Sequence, residues 1–328
     1  MSKRCDMKPR YLSLFEDGTL KKRVQRFKDL TASCRLCPRM CGIDRDAGEE
    51  GFCGLSNELV MSHALPHFGE EPPISGTHGA GTVFFSSCNL GCVFCQNYQI
   101  SRDRMGRRID RQQLAAIMMD LQEQGCHNIE AVTPTPQLPG IIEALGYACE
   151  RGLSVPFVYN CGGYEREEIL RQLDGIVDIY LPDFKYGDDA DAYTWSGVRD
   201  YTAHALASIR EMLRQVGATI ETDGAAAAGI IVRHLVLPGG VSSSLTALKL
   251  IRKHLTTSLP LSLMAQYTPT PAVKDHPVLG RKITRHEYER VVEAALDWGF
   301  ETVFVQDIDD VHALMPDFRA DTPFSWKA

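Results

Sequence analysis

Three cysteines stand close together in the first half of the chain, Cys88, Cys92 and Cys95, with the spacing Cys-x3-Cys-x2-Cys. Cysteine thiolates are the usual ligands of [4Fe–4S] clusters, which contain four irons. Three thiolates therefore leave one iron free to bind another molecule, as catalytic metal sites keep an open position. A structural zinc site needs four ligands, and no fourth stands in this stretch. The spacing favours an open iron–sulfur cluster over zinc or over three unpaired cysteines.

The neighbouring residues place these cysteines in a loop that follows a strand. The apolar run Thr82-Val83-Phe84-Phe85-Ser86 predicts a short buried strand that ends just before them. Loops at the carboxyl ends of parallel strands carry the chemistry of α/β folds. The string Phe-Phe-Ser-x-Cys-Asn-Leu-x-Cys-x-Phe-Cys-Gln-Asn, residues 84–97, resembles the radical S-adenosylmethionine (SAM) enzymes. Within them it is similar to the pyruvate formate-lyase activating-enzyme-like branch, and the resemblance extends from Cys34 to about Gln306.

A second cysteine group precedes the first, with the spacing Cys-x2-Cys-x3-Cys-x11-Cys. Four thiolates within twenty residues are sufficient to close a metal site, and the spacing leaves zinc and an iron–sulfur cluster both open. The Cys-Pro-Arg phrase also resembles the N-terminal segment of the same branch. The better-known activating enzymes carry their extra clusters after the SAM-cluster motif, so the resemblance does not extend to an electron-relay role for these cysteines. The predicted ligands are Cys34, Cys37, Cys41 and Cys53.

From residue 82 onward, apolar runs alternate with patterns of amphipathic helices, which indicates parallel βα units with right-handed crossovers. The resemblance implies an α/β fold, the partial (β/α)6 TIM-like barrel of radical SAM enzymes, with a small N-terminal cysteine-rich metal-binding extension. We predict an N-terminal extension at 1–80, the partial barrel at 81–310 and a C-terminal tail at 311–328. We also predict a linker at 61–80 and a variable loop at 219–228. The predicted strands are 82–86, 129–133, 154–160, 177–184, 229–238, 260–267 and 301–307.

Polar side chains follow most of the predicted strands, where they would face a ligand beside the cysteines. Asp183 and Lys185 stand two residues apart, so alternation along the strand puts them on one side. The resemblance implies that this Asp-x-Lys phrase contacts the ribose and carboxylate of SAM, although a structural ion pair is the alternative. Arg233 or His234 would point into the barrel and need an anionic partner. The further predicted cofactor-binding residues are Thr133, Asn160 and Gln266.

The residues that are expected to bind the SAM amino group are absent from this sequence. Many radical SAM enzymes have a Gly-Gly-Glu-Pro phrase after the second strand, where this chain has Thr133-Pro134-Thr135-Pro136. The sequence therefore leaves open how that amino group would be held.

The composition excludes some classes of function. The formal net charge of −7 gives no basic field for nucleic acid. No apolar run reaches the ~20 residues of a membrane helix, and the charged start has no apolar core of signal-peptide length. In a reducing cytosol, the 11 cysteines indicate metal ligands rather than disulfides. We expect a cytoplasmic metalloprotein without a membrane or nucleic-acid partner.

The resemblance implies a radical SAM oxidoreductase. A one-electron donor such as flavodoxin or ferredoxin would reduce the cluster, SAM would be cleaved to a 5′-deoxyadenosyl radical, and this radical would abstract hydrogen from a substrate. The first substrate hypothesis is the glycine of a glycyl-radical partner protein, and the second is a small molecule or another modification target. A hypothesis of another class is a non-catalytic iron–sulfur or zinc redox sensor, which would need neither the Asp183–Lys185 pair nor polar strand ends.

Overall fold

A computed structural model describes residues 8–218, 221–222, 224–309 and 315–324, with only the backbone at 221–222. The strands are β1 Leu59–His67, β2 Ala80–Phe85, β3 Arg107–Ile109, β4 Ile129–Val132, β5 Phe157–Cys161, β6 Ile179–Pro182, β7 Glu221–Thr222, β8 Ala226–Ile230, β9 Val232–Leu235, β10 Leu261–Met264 and β11 Val303–Val305. The helices are α1 Arg10–Glu16, α2 Thr19–Asp29, α3 Pro72–Ser75, α4 Tyr98–Ser101, α5 Arg111–Glu123, α6 Leu138–Glu150, α7 Glu167–Gln172, α8 Asp189–Ser196, α9 Tyr201–Val216, α10 Ser244–His254 and α11 Arg285–Asp297. Short 3-10 helices cover Thr135–Gln137 and Pro238–Gly240.

The strands form a mostly parallel sheet in the order β3-β1-β2-β4-β5-β6-β8-β7, and a second sheet in the order β11-β10-β9. The strands β2, β4, β5, β6 and β8 pair in parallel, as do β9, β10 and β11. A bridge between Asp183 and Arg233 joins the end of β6 to β9, so the parallel strands continue from one sheet into the next. Among the described strands, β3 is an edge strand of the first sheet, paired with β1, and β11 is an edge strand of the second, paired with β10. An α/β fold with a mostly parallel sheet is confirmed.

Amphipathic helices cover the sheet at the places where the sequence predicts them. The N-cap of α5 is a capping box, in which Asp110 accepts from the Gln113 backbone N–H and the Gln113 side chain accepts from the Asp110 N–H. The apolar faces of the helices reach the core, where Leu114, Leu145 and Ile209 are fully buried. Burial of such stripes against the sheet is the main stabilisation of these short helices.

Two predicted segments differ from the structure. Residues 61–80 are not simply a linker, because β1 pairs antiparallel with β2 and its first residues, Leu59 to Met61, are buried. The buried amide of Gln137 secures β1, since it accepts from Val60 N at 2.6 Å and donates to Val60 O at 2.8 Å. The predicted loop at 219–228 is wrong at Glu221–Thr222, which form β7, and from Ala226, where β8 begins. Residues 219, 220 and 223 lie outside the described residues, as do 1–7, 310–314 and 325–328.

The predicted fifth strand, 229–238, is divided between two strands. Up to Ile230 the chain pairs with β6, and from Val232 onward it pairs with β10. The boundaries predicted at residues 80 and 310 stay predictions. Within the described ranges, no helix combines the length and apolarity that a membrane span requires.

Candidate functional site

A cavity of about 520 Å³ opens at the carboxyl ends of the parallel strands. Its wall brings together residues that are far apart in the sequence, as expected where parallel strands end at one edge. The predicted site residues on this wall are Cys88, Cys92, Cys95, Thr133, Asn160, Asp183, Lys185 and Gln266. Their roles stay predictions, but the structure places all eight around one space.

The cysteine loop, Cys88 to Cys95, follows β2 and presents three hydrogen-bonded sulfur atoms. Cys88 Sγ accepts from Leu90 N at 3.3 Å, Cys92 Sγ from the Ser196 hydroxyl at 3.0 Å, and Cys95 Sγ from the Ser101 hydroxyl at 3.2 Å. Burial, with the neighbouring Cys92 and Cys95, raises the pKa of Cys88 to about 12. Hydrogen bonds to sulfur and burial are both features that tune iron–sulfur clusters.

The three thiols are the type of donor that a [4Fe–4S] cluster uses. Among the residues that the structure describes, the N-terminal cysteines included, no group of three or more His, Cys, Asp and Glu side chains is arranged to hold a single metal ion. A [4Fe–4S] cluster distributes its ligands over separate irons, so its cysteines need not converge on one point. Three thiols that share a cavity, each with a hydrogen-bond donor, meet that requirement.

Asp183 and Lys185 form an ion pair at the end of β6. Lys185 Nζ donates to Asp183 Oδ2, and both side chains are largely buried. Burial alone would lower the pKa of Lys185, but the Asp183 carboxylate outweighs it and the pKa is raised. The Tyr201 hydroxyl accepts from Lys185 N at 2.6 Å and lies 3.0 Å from the carbonyl oxygens of both Gly162 and Asp183. The pair is thus held firmly at the cavity wall.

Two of the remaining predicted cofactor-binding residues, Asn160 and Gln266, already make hydrogen bonds within the protein. Asn160 Nδ2 donates to Glu130 Oε1 at 2.7 Å, which turns the Asn160 amide in one direction. Thr133 has a φ of 57°, a left-handed conformation that is uncommon outside glycine and is found at functional sites. Gln266 accepts from Gln306 Nε2 at 2.7 Å and, through its backbone carbonyl, from Gln96 Nε2 at 2.6 Å. These bonds fix Asn160 and Gln266 in place around the cavity.

A buried ionic group lines the same cavity. The sequence predicts its cation but does not identify its carboxylates. Arg233 faces the interior, and its expected anionic partners are Glu70 and Glu71, with Nε donating to Glu71 Oε1 at 3.0 Å. Burial raises the pKa of Glu70, but Arg233 and then His67 outweigh it and lower the pKa to about 2. The two carboxylates lie in the segment for which the sequence predicts a linker. Two adjacent glutamates before Pro72 are the only feature of that segment that could have indicated a site.

His234, the alternative to Arg233, is a structural residue. Its Nδ1 lies 2.5 Å from Phe184 O and its Nε2 lies 2.8 Å from the Ser244 hydroxyl. Burial lowers its pKa to about 4, so the imidazole is neutral near pH 7.

The second cysteine group lines a small cavity of about 20 Å³ beside the first. Burial raises the pKa of Cys37 and of Cys53, with Cys34 among the neighbours that contribute to both. The described cysteines are all free thiols. The structure brings the four predicted ligands, Cys34, Cys37, Cys41 and Cys53, to one place. Metal binding there, by zinc or an iron–sulfur cluster, stays a prediction.

Comparison with known families covers the part of the chain that carries the cysteine loop. Residues 82–227 match the Radical SAM superfamily model. This segment is similar to the domain that radical SAM proteins share. It begins within β2 and includes Cys88, Cys92, Cys95, Asp183 and Lys185. The match concerns the superfamily, so the predicted activating-enzyme-like branch stays a prediction.

Two further similarities extend beyond this matched segment. The chain is 27% identical over 302 residues to uncharacterized protein MJ0674 of Methanocaldococcus jannaschii, covering 89% of this chain and 83% of that relative. The solved structure "Native anSMEcpe with bound AdoMet" is 10% identical, with a TM-score of 0.46. That alignment covers 67% of this chain and 61% of the solved one, which is less than two thirds of its length.

Proposed function

We propose that this chain is a radical SAM enzyme whose cysteine loop holds a [4Fe–4S] cluster and whose cavity binds SAM beside it. One observation carries the proposal: the three loop cysteines and the Asp183–Lys185 pair line the same cavity, within the segment that matches the Radical SAM superfamily. Bound there, the cluster would supply the electron by which SAM is cleaved to methionine and the 5′-deoxyadenosyl radical that takes hydrogen from a substrate.

The protein's own residues have distinct tasks in this proposal. The three thiolates would hold three irons of the cluster, which leaves the fourth for SAM. Asp183 accepts hydrogen bonds from hydroxyl or ammonium groups, and Lys185 offers a positive charge to a carboxylate. Apolar side chains that line the cavity, Phe84, Phe304 and Phe324, exclude water and other hydrogen donors from the reacting atoms.

For the substrate, the buried ionic group favours a polar small molecule or a polar side chain. Arg233, Glu70 and Glu71 lie on the cavity wall and offer both signs of charge. A glycine residue of a partner protein brings no side chain to such a group. We therefore place the glycyl-radical role second, supported by the resemblance of the cysteine string to activating enzymes.

A labelling experiment separates the two substrate classes. Extract from cells grown in D₂O is divided into a small-molecule and a protein fraction, and each is added to anaerobically reconstituted, reduced protein with SAM. Hydrogen abstraction transfers deuterium to 5′-deoxyadenosine, which mass spectrometry detects. We expect the label from the small-molecule fraction. Label from the protein fraction alone would support the glycyl-radical hypothesis or modification of a protein side chain, and proteolysis of the labelled protein would distinguish these.

A further inference from the structure

The N-terminal cysteine segment, Cys34 to Gly54, packs directly on the cysteine loop. The Ser87 hydroxyl, just before Cys88, donates to the carbonyl of Cys53. The ring of Phe52 faces Gly91, where a Cβ would stand 3.3 Å from the ring edge. The two cysteine groups are therefore neighbours through backbone as well as side-chain contacts.

Arg39 makes the most extensive contact between the two. It lies between Cys37 and Cys41 in the sequence, and its guanidinium donates to four backbone carbonyls. Nε donates to Asn89 O at 3.0 Å and Nη2 to Leu90 O at 3.1 Å. On the other side, Nη2 donates to Ser196 O at 2.9 Å and Nη1 to Gly197 O at 3.1 Å.

The residues that accept these bonds are those that shape the cysteine loop. Asn89 and Leu90 lie between Cys88 and Cys92, and the Leu90 N–H donates to Cys88 Sγ. Ser196 donates its hydroxyl to Cys92 Sγ. One guanidinium thus spans the two segments that supply hydrogen bonds to two of the three thiols. The planar, five-donor fork of arginine can do this, whereas the ammonium of lysine cannot reach four carbonyls at once.

Arg39 also brings a positive charge to this place. Its guanidinium lies over the Phe52 ring, 3.7 Å from the centroid, in a cation–π contact. The side chain is half-buried, so solvent screens its charge less than that of a fully exposed arginine. A nearby positive charge favours the reduced form of a cluster, because net charge is among the factors that set reduction potentials.

We propose that Arg39 is a positioning residue for the iron–sulfur site: it holds the Cys88–Cys92 turn in its ligating shape and raises the reduction potential of the cluster there. The N-terminal cysteine segment acts on the reaction through this side chain. The inference rests on the proposed function, because it requires a cluster at the cysteine loop.

The test compares Arg39→Lys and Arg39→Gln with wild type in the full-length chain, reconstituted anaerobically. Arg35→Gln is the matched control, because Arg35 is an exposed arginine of the same segment. Three readouts are needed: the rate of iron loss to a chelator, the change in the electron paramagnetic resonance spectrum when SAM is added, and the reduction potential of the SAM-responsive signal. The SAM-induced change identifies the loop cluster even if the second cysteine group also binds iron.

Both Arg39 variants should lose iron from the SAM-responsive cluster about tenfold faster than wild type, because neither a lysine ammonium nor a glutamine amide can reach all four carbonyls. Arg39→Gln should also lower the reduction potential, whereas Arg39→Lys, which keeps the charge, should change it less. Arg35→Gln should match wild type. Should Arg39→Gln fail to fold, the lysine variant carries the test.

Wild-type iron retention and potential in both Arg39 variants would overturn the inference. The absence of any SAM-responsive cluster in wild type would instead overturn the proposed function, so the two failures are distinguishable.

Discussion

At the scale of single residues, Asp183 and Lys185 each depend on the other as a partner. Both side chains are largely buried, and each satisfies the charge of the other. Removing one partner leaves a buried charge without its counterpart, which is strongly unfavourable. The pair is therefore sensitive to substitutions that change charge without changing shape.

Asp183→Asn should weaken SAM binding by about tenfold or more, since it removes an anionic acceptor and leaves Lys185 unpaired. Equilibrium dialysis of the reconstituted protein with SAM measures the dissociation constant. Asp120→Asn, at an exposed position of α5, provides the control. An unchanged affinity in Asp183→Asn would mean that the ion pair is structural only.

Glu165 is a buried carboxyl group whose titration should influence stability. The Thr135 hydroxyl donates to its Oε1 at 2.8 Å and the Tyr159 hydroxyl lies 3.4 Å from its Oε2. Burial, against weaker opposing hydrogen bonds, raises the pKa of Glu165 from 4.5 to about 8. Because the folded state binds this proton more tightly than the unfolded chain, its stabilising contribution is complete below about pH 4.5 and is lost as the pH rises to about 8.

Glu165→Gln should therefore flatten the decline in the free energy of unfolding between about pH 5 and about pH 8, where one such proton contributes at most about 1.4 kcal/mol per pH unit. Denaturant unfolding of the metal-free chain at several pH values measures this slope. Other buried carboxyl groups titrate in both proteins, so only the difference between variant and wild type is interpreted. Glu150→Gln, at an exposed position, should keep the wild-type slope. An identical slope in Glu165→Gln would contradict the prediction.

The site residues that the sequence predicts are those whose position relative to a strand can be read from alternation. Cys88, Asn160, Asp183 and Gln266 each follow or end an apolar run, and the common edge of parallel strands brings them together. Glu70 and Glu71 lie outside any such run, so nothing in the sequence places them near Arg233. Arg39 was missed as well, because its hydrogen bonds go to backbone carbonyls, which no pattern of side chains reveals.

At the scale of elements, the ends of β5 and β6 are joined by a close backbone contact. Gly163 has a φ of 75°, and a Cβ built there would lie 2.1 Å from Asp183 O. The adjacent Gly162 has room, since its Cβ would lie 3.4 Å from the nearest atom, Leu90 Cδ2. Of these two neighbouring glycines, only Gly162 has space for a Cβ.

Gly163→Ala should lower the free energy of unfolding by more than about 2 kcal/mol, because it combines a left-handed conformation with a backbone clash. Gly162→Ala should cost less than about 1 kcal/mol. Denaturant unfolding of the two metal-free variants beside wild type tests this. Similar losses in both variants would show that the contact between the two strand ends does not restrict this position.

The elements themselves were largely predictable, and the exceptions have physical causes. The helices α5, α6, α9, α10 and α11 each lie between two predicted strands, where the sequence predicts amphipathic helices. Strand β1 was missed because it contains a proline and is followed by Pro72-Pro73, and because pairing with β2 is a long-range event. The apolar run 229–238 predicts a strand, but the change of partner at Ile231 depends on two neighbouring strands rather than on the run itself.

At the scale of the whole molecule, the chain combines a segment that matches the Radical SAM superfamily with an N-terminal cysteine segment packed against its cysteine loop. The sequence predicts the class of chemistry because metal ligands are few and their spacing is restrictive. It does not predict the substrate, because that depends on the charges gathered on the cavity wall, with Glu70 and Glu71 just before α3 and Arg233 in β9. The electron donor, such as flavodoxin or ferredoxin, also remains a prediction.

The central claim is tested most directly by SAM cleavage. The full chain is reconstituted anaerobically with iron and sulfide and reduced with dithionite, SAM is added, and 5′-deoxyadenosine is quantified. A Cys88→Ala, Cys92→Ala, Cys95→Ala variant is compared with a Cys126→Ala, Cys149→Ala control, whose cysteines lie away from the cavity wall. We predict product from wild type and from the control and none from the triple variant. Failure of the reconstituted wild type to bind SAM would contradict the account and favour a redox sensor.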